Sequence, residues 1–234
     1  HIEDDIDIVI NLCGENVAGG RWTSKRKQAI YNSRIIATRN LIDYFRKNPH
    51  PIKTWISASA IGIYENSIVL DESATNGQGF LAKTCKDWEE ETFKARDLNI
   101  RTIAFRIGIV LGFDGGAMEK MLPLFKLGLG GNISSGDQWM SWIHVRDLAG
   151  LIVEAIDNPS YEGPVNAVSP NPVTNREFTS TLAGILKRPA FFPVPGWTLK
   201  LLLGEMSQLL INSQKISSDT AKNLGYKFIY PKLK

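Results

Sequence analysis

The sequence predicts an α/β protein built on a parallel sheet. Three observations carry that prediction: β-branched apolar runs of strand length, helix-length amphipathic stretches between them, and small-residue turns where the strands stop. The strand runs are Ile6 to Leu12, Thr54 to Tyr64 and Ile100 to Gly112, and helical patterns over Thr23 to Phe45 and Phe80 to Arg96 separate them. That alternation reads as βαβ units with right-handed crossovers. Its 234 residues suit one large domain, or a domain with a smaller lobe.

The first run, "IDIVINL", is continuously apolar, the pattern of a strand in the middle of a parallel sheet. The helix after it takes Thr23 or Ser24 as its N-cap. Ile30, Ala37, Leu41 and Phe45 form its apolar stripe, and Pro49 and Pro51 lie beyond its end. "TWISASAIGIY" is a strand that ends in small residues, with Ser57 and Ser59 on one side by alternation. "IVLDESATNGQG" reads as loop, and "GFLAKTCKDWEEE" opens the next helix. Ile100 to Gly112 reads as one buried strand interrupted by a charge, Arg106. Beyond Gly112 the texture turns glycine-rich. "WIHVRDLAGLIVEAI" then returns to strand and helix, and "GPVNAVS" adds a strand. We divide the chain into a core over 1–170, with 113–142 contributing to a substrate lobe, and a small C-terminal domain over 171–234.

The formal charge of +3 is mild and its basic residues are scattered, which fits solvated helix faces better than a nucleic-acid patch. Two cysteines without a CxxC, and three dispersed histidines, predict neither a disulfide scaffold nor a metal site. No apolar run approaches the ~18 residues that span a bilayer, and no signal-peptide pattern stands at the start. The expected setting is cytoplasmic, without a membrane partner.

In parallel α/β sheets, ligands bind beyond the carboxyl ends of the strands. Leu12 to Asn16, Ser57 to Tyr64 and Arg106 to Gly112 are therefore the segments of interest. A hydroxyl at Ser57 or Ser59 suits either substrate binding or close packing. Cys13 has no adjacent base and reads as a small buried hydrophobe. Arg34 lies beside the apolar stripe of its helix. It needs a salt bridge, a snorkelling path, or a phosphate or ribose to contact. Arg106 calls either for an internal carboxylate or for an outlet into the cleft. Asp147 is placed to N-cap a helix over Leu148 to Ile156.

Taken together, "INLCGENVAGGRW", "SRIIATRNLI", "ISASAIGIYE", "FLAKTCKDWE", "RIGIVLGFDGGAM", "GDQWMSWIHVRDLAG" and "VNAVSPNPVTNREF" resemble the extended short-chain dehydrogenase/reductases. The similarity is to their atypical branch of nucleotide-sugar-epimerase-like and cell-division-inhibitor-like proteins. The tail from Phe191 resembles the small C-terminal domain of that branch, so the likeness covers essentially the whole chain. It implies a Rossmann-type doubly wound sheet, an NADP or NAD site, a C-terminal substrate lobe, a small-molecule substrate, and a homodimer as a possible assembly. On that pattern Leu12, Cys13, Gly14, Arg34, Ser57, Phe80 and Leu81 border the cofactor. Ser59 falls in the segment of the active-site serine or threonine. Arg106, Trp142 and His144 border the substrate.

Two departures stand out. The branch opens with a strand and a glycine-rich turn that holds pyrophosphate at a helix N-terminus. Neither is present, and the resemblance implies a start about 45 residues into the fold, as in a shortened piece of a longer chain. The second departure is in the catalytic helix. The family pairs tyrosine and lysine one turn apart, so that the lysine eases proton exchange by the phenol. Phe80 and Thr84 occupy those positions here. Tyr64 is the nearest alternative phenol in the sequence, with a bound water as its substitute. The expected function is an NAD(P)-dependent oxidoreductase or epimerase-like enzyme without the usual pair, or a dinucleotide-binding sensor or interaction protein that has lost catalysis.

Overall fold

A computed structural model describes residues 5–113 and 115–233. The core elements alternate as the sequence predicts. β1 (Ile8–Asn11) leads to α1 (Ser24–Lys47), β2 (Thr54–Ala60), the short β3 (Ile68–Leu70), α2 (Phe80–Phe93) and β4 (Arg101–Ile107). β5 (Ile109–Gly112), α3 (Gly116–Lys126), β6 (Trp139–Met140), β7 (Trp142–His144), α4 (Val145–Asp157) and β8 (Gly163–Ala167) follow. The remainder is β9 (Val173–Thr174), α5 (Asn175–Leu186), α6 (Gly196–Leu203), α7 (Gln208–Ile211), β10 (Lys215–Ile216) and α8 (Asp219–Asn223).

The main sheet is wholly parallel, in the order β1-β2-β4-β8. Its register sets Ile56 beside Ile103 and Phe105 beside Val165. These four pack with Ile143, Leu151, Ala155 and Tyr161 on the α4 side, where Ala221 of α8 closes the cluster. Trp55 points the other way, onto Ile42 and Phe45 of α1. The sheet is thus covered on both faces, as parallel sheets require.

Several expectations change, and Ile68–Leu70, expected as loop, forms β3. β1 is an edge of the sheet among the described residues, and Ile10 and Leu12 are 45% and 55% exposed. Its apolar character therefore does not translate into burial. Cys13, just beyond that edge, is exposed rather than buried. The buried stripe of α1 is Ile30, Ile35, Thr38, Ile42 and Phe45, with Ala37 and Leu41 only partly covered. α1 packs against both the sheet and α2, which needs a wider face than a single row. Its N-cap is Thr23, whose hydroxyl accepts from Arg26 N at 3.2 Å.

A further change is at Gly108, which breaks the expected long strand. A Cβ there would lie 2.5 Å from the Ser141 carbonyl oxygen and 2.8 Å from Val168 Cγ1. The chain leaves the main sheet at this close approach, and β5 pairs with β7 instead. Gly108→Ala is expected to cost about 1–3 kcal/mol through this overpacking, read as a lower urea midpoint.

The C-terminal residues fold back onto the core. β10 pairs in parallel with β3, and Gln214 Nε2 donates to the carbonyls of Tyr64 (3.0 Å) and Glu65 (3.2 Å). Asp147 takes no part in capping α4. His144 is the N-cap, its Nδ1 accepting from Arg146 N at 3.1 Å. Asp147 is fully buried, and its carboxylate accepts from Ile229 N (2.7 Å), Tyr230 N (2.9 Å) and the Tyr226 hydroxyl (3.3 Å).

Candidate active-site cleft and the network behind it

The parallel strands end on one side of the sheet, and the loops there build the candidate site. After β2 a 3₁₀ turn, Ile61–Ile63, carries the chain to Tyr64. Tyr64 bridges Asn76 in an antiparallel contact, and Gly77 lies against this segment so closely that a Cβ would sit 2.6 Å from Tyr64 O. A cleft of about 490 Å³ opens here, between the core and the C-terminal lobe. The core side supplies Gly62, Tyr64, Asn76, Gln78 and Leu81, and the lobe supplies Lys200, Ser207, Gln208 and Asn212. Its lining is rich in amides and holds one carboxylate from the core, Glu65, and one cation from the lobe, Lys200.

A buried polar network lies behind the cleft. Glu89 and Arg106 are 6% exposed each and form a two-pronged pair, Nε to Oε1 and Nη2 to Oε2, both 2.8 Å. Ser59 donates to the same Glu89 Oε1 at 2.7 Å. Arg106 Nη1 donates to the Tyr64 hydroxyl (2.9 Å) and to Glu72 O (3.0 Å). The Tyr64 hydroxyl in turn donates to Asn166 Oδ1 at 2.7 Å. Asn166 N is held by the Glu72 carboxylate at 2.8 Å. Ser57 lies deeper, accepting from Thr92 Oγ1 at 3.2 Å. Of the two partners open to Arg106 in the sequence, the structure supplies the internal carboxylate. Glu89 was hidden in the acidic run "DWEEE", which looks like a solvated face until α2 turns Glu89 toward Arg106 and Glu91 toward Arg39 and Lys94.

The network's electrostatics follow from its burial. Burial alone would lower the Arg106 pKa, but the hydrogen bonds and charge of Glu89 raise it instead. Burial pushes the Tyr64 phenol from its ordinary 10.0 up to about 12, against the opposing pull of Arg106. The folded-state value lies above the unfolded one. The associated stability is therefore fully present below about pH 10 and is lost as pH rises through 12. The slope is about 1.4 kcal/mol per pH unit for one such group. Urea denaturation at stepped alkaline pH is expected to show this loss, and Tyr64→Phe to reduce its slope, with Tyr161, which burial also raises to about 12, carrying part of the remainder.

The loop after β1 forms a second part of the site. Leu12, Cys13 and Gly14 are exposed there. Asn11 ties the loop down: its carbonyl oxygen Oδ1 accepts from Cys13 N (3.2 Å) and its Nδ2 donates to Thr38 Oγ1 (2.9 Å). Arg34 reaches under the loop, donating to Glu15 O (3.1 Å) and Ile30 O (3.0 Å), with its guanidinium 5.2 Å from the Trp88 ring. A Cβ on Gly14 would be 2.8 Å from that guanidinium, so a larger residue would push the tip of the arginine aside. Burial lowers the Arg34 pKa. Arg34 forms no ion pair among the described residues.

The start of α2 is apolar. The Phe80 ring meets Trp22 edge-on at 5.2 Å, in a cluster with Ile30 and Met206. Thr84 Oγ1 donates to Phe80 O at 2.7 Å, a bond internal to the helix. Leu81 alone of the pair Phe80 and Leu81 lines the cleft. Trp142 and His144 lie elsewhere. Trp142 is buried with its Nε1 on Asn171 O (3.1 Å), and His144 stacks on Tyr230 at 3.9 Å. Both border a separate apolar cleft of about 380 Å³ between α3 and α5. Among the described residues no group of three or more His, Cys, Asp or Glu could hold a metal ion, and no helix is long and apolar enough to cross a membrane. His1 lies outside the described residues.

A parallel, doubly covered sheet with a polar cleft beyond its carboxyl ends defines a Rossmann-type core with an appended lobe. Comparison with known proteins gives its family. Residues 1–168 match the NAD dependent epimerase/dehydratase family, and residues 194–234 match a domain of unknown function, DUF1731. The chain belongs to the NAD dependent epimerase/dehydratase family. It is 41% identical over 230 residues to the chloroplastic epimerase family protein SDR39U1 homolog of Arabidopsis thaliana, covering 97% of this chain and 66% of that protein. It is 41% identical over 231 residues to the epimerase family protein YfhF of Bacillus subtilis, covering 97% of this chain and 76% of that one. Among solved structures, human SDR39U1 (isoform 2), crystallised with NADPH, superposes with a TM-score of 0.92 at 33% identity, covering 97% of this chain and 79% of that one. A nucleoside-diphosphate sugar epimerase from Corynebacterium glutamicum gives 0.75 at 33% identity, covering 97% and 44%.

Proposed function

We propose that the protein is an NAD(P)-dependent, epimerase-like oxidoreductase that works without the tyrosine–lysine pair. The observation that carries this reading is the TM-score of 0.92 to a human relative crystallised with NADPH. The residues present fit a dinucleotide. Leu12 and Gly14 offer an exposed apolar and backbone surface at a strand's carboxyl end, and Arg34 fixes that surface from below. Cys13, Phe80 and Leu81 complete the cofactor side in this reading, and Ser57, fully buried against Thr92, supports it from behind. A bound nicotinamide would supply or accept hydride.

The chain's own residues would bind and orient the substrate. The amides of Asn76, Gln78 and Gln208 suit a small polar molecule, with Glu65 and Lys200 as the charged groups of the lining. Ser59 and Tyr64 enter as positioning groups, because both hydroxyls are already engaged behind the cleft wall. Proton transfer then falls to water held by the cleft amides. Arg106 acts through Tyr64, while Trp142 and His144 shape the lobe.

Calorimetry of the full-length protein with NADPH and NADH is expected to show binding of at least one, and a panel of carbonyl substrates to show its oxidation. Binding of neither would sink the reading. A second reading, a cofactor-binding sensor without catalysis, is favoured by the packing of Phe80 against Trp22 and by the internal bond of Thr84. Tight NADPH binding with no turnover on any carbonyl would select it.

A further inference from the structure

The C-terminal lobe carries a surface that the cleft does not use. Residues 128–134, just past α3, run alongside residues 189–194. Phe192 N donates to Gly130 O at 3.2 Å and Val194 N to Asn132 O at 2.8 Å. The two segments approach so closely that a Cβ on Gly131 would lie 2.0 Å from the Phe192 carbonyl oxygen. α6 begins immediately afterwards, with Gly196 against Ser134. This pairing gathers Leu127, Leu129, Phe191, Phe192, Trp197 and Leu201, and all six are exposed. Phe191 is 82% exposed and Trp197 70%. Scattered apolar residues on a surface need no explanation, but six exposed ones brought onto two paired segments and the helix that follows them point to an interaction site.

Charge identifies the partner. Residues 123–131 and 187–202 contain Lys126, Lys187, Arg188 and Lys200, and no aspartate or glutamate. All four cations are exposed. Projecting aromatic and leucine side chains among unopposed cations are the pattern of a protein that sits at the headgroup level of an anionic leaflet. Phe191 and Trp197 project almost free of the protein's own surface.

We propose that this face docks on an anionic membrane surface, inserting Phe191, Phe192, Trp197 and Leu201 at the headgroup–acyl boundary with Lys126, Lys187 and Arg188 against the lipid anions. The absence of a spanning run in the sequence does not bear on such surface docking. Lys200 belongs both to α6 and to the cleft lining, so docking sets the mouth of the cleft near the lipid.

The test is co-sedimentation of the full-length protein with vesicles of phosphatidylcholine alone, or with about a third phosphatidylglycerol. Binding is expected to be about tenfold or more stronger on the anionic vesicles, and to weaken as salt is raised. The double variant Phe191→Ser/Trp197→Ser is expected to lose about tenfold or more of that binding. Both side chains are exposed, and an unchanged thermal melt would show that the fold is kept. Failure to bind either vesicle, or equal binding to both, overturns the proposal. So does self-association that the double variant abolishes in a protein that ignores vesicles.

Discussion

Glu89→Gln is expected to destabilise the protein by about 3–5 kcal/mol, because it leaves the buried Arg106 guanidinium without its counter-charge. The substitution keeps the volume, so the loss is electrostatic rather than a cavity. It also weakens the acceptor for Ser59 and loosens the arginine that holds the Tyr64 hydroxyl. Chemical denaturation is expected to show a lower midpoint with an unchanged slope. The informative control is Glu89→Leu with Arg106→Met. Apolar replacement of a whole buried pair is often nearly neutral, so the double variant should recover most of the loss. If Glu89→Gln alone costs less than about 1 kcal/mol, the pair is solvated in solution and the network does not order the cleft wall.

Asp147→Ala carries the second large effect. It strips the acceptor from two backbone amides, Ile229 N and Tyr230 N, while the Tyr226 hydroxyl keeps its shorter bond to the Asp147 carbonyl oxygen at 3.0 Å. Each orphaned buried donor costs about 1–3 kcal/mol, but detachment of the segment would let water reach them. The expected outcome is therefore a loss of about 3 kcal/mol together with raised amide exchange confined to residues 226–230. Asp147→Asn retains one carbonyl acceptor and should give an intermediate result. Uniform exchange across the whole chain would refute the local tether.

These two carboxylates also show where sequence reading stops. The strand–helix alternation is a local signal, and it held for β1, α1, β2, α2 and β4 because periodicity and caps act within a few residues. Thr23 was legible as an N-cap for the same reason. Asp147 was not, because its position before an apolar helix is identical to that of a cap, and its partners lie 82 and 83 residues away. The break at Gly108 depends on the Ser141 carbonyl, which no window around "RIGIVLG" contains. The unusual charge at Arg106 was legible as needing a partner, and the structure supplies an internal carboxylate. That partner on α2, 17 residues earlier, emerged only when sheet and helix were packed together. The cleft was legible as the carboxyl ends of the strands, but its lobe wall of Lys200, Ser207 and Gln208 had no motif to announce it.

The pairing of β3 with β10 sets a timetable for biosynthesis. Gln214 reaches the Tyr64 carbonyl across 150 residues of chain. At a ribosomal rate of about 5–20 residues per second, the Tyr64 segment waits on the order of 10 s for the residues that cover it. The nascent core therefore leaves the ribosome with one wall of its cleft unfinished. Translational slowing before Lys215 would lengthen that interval.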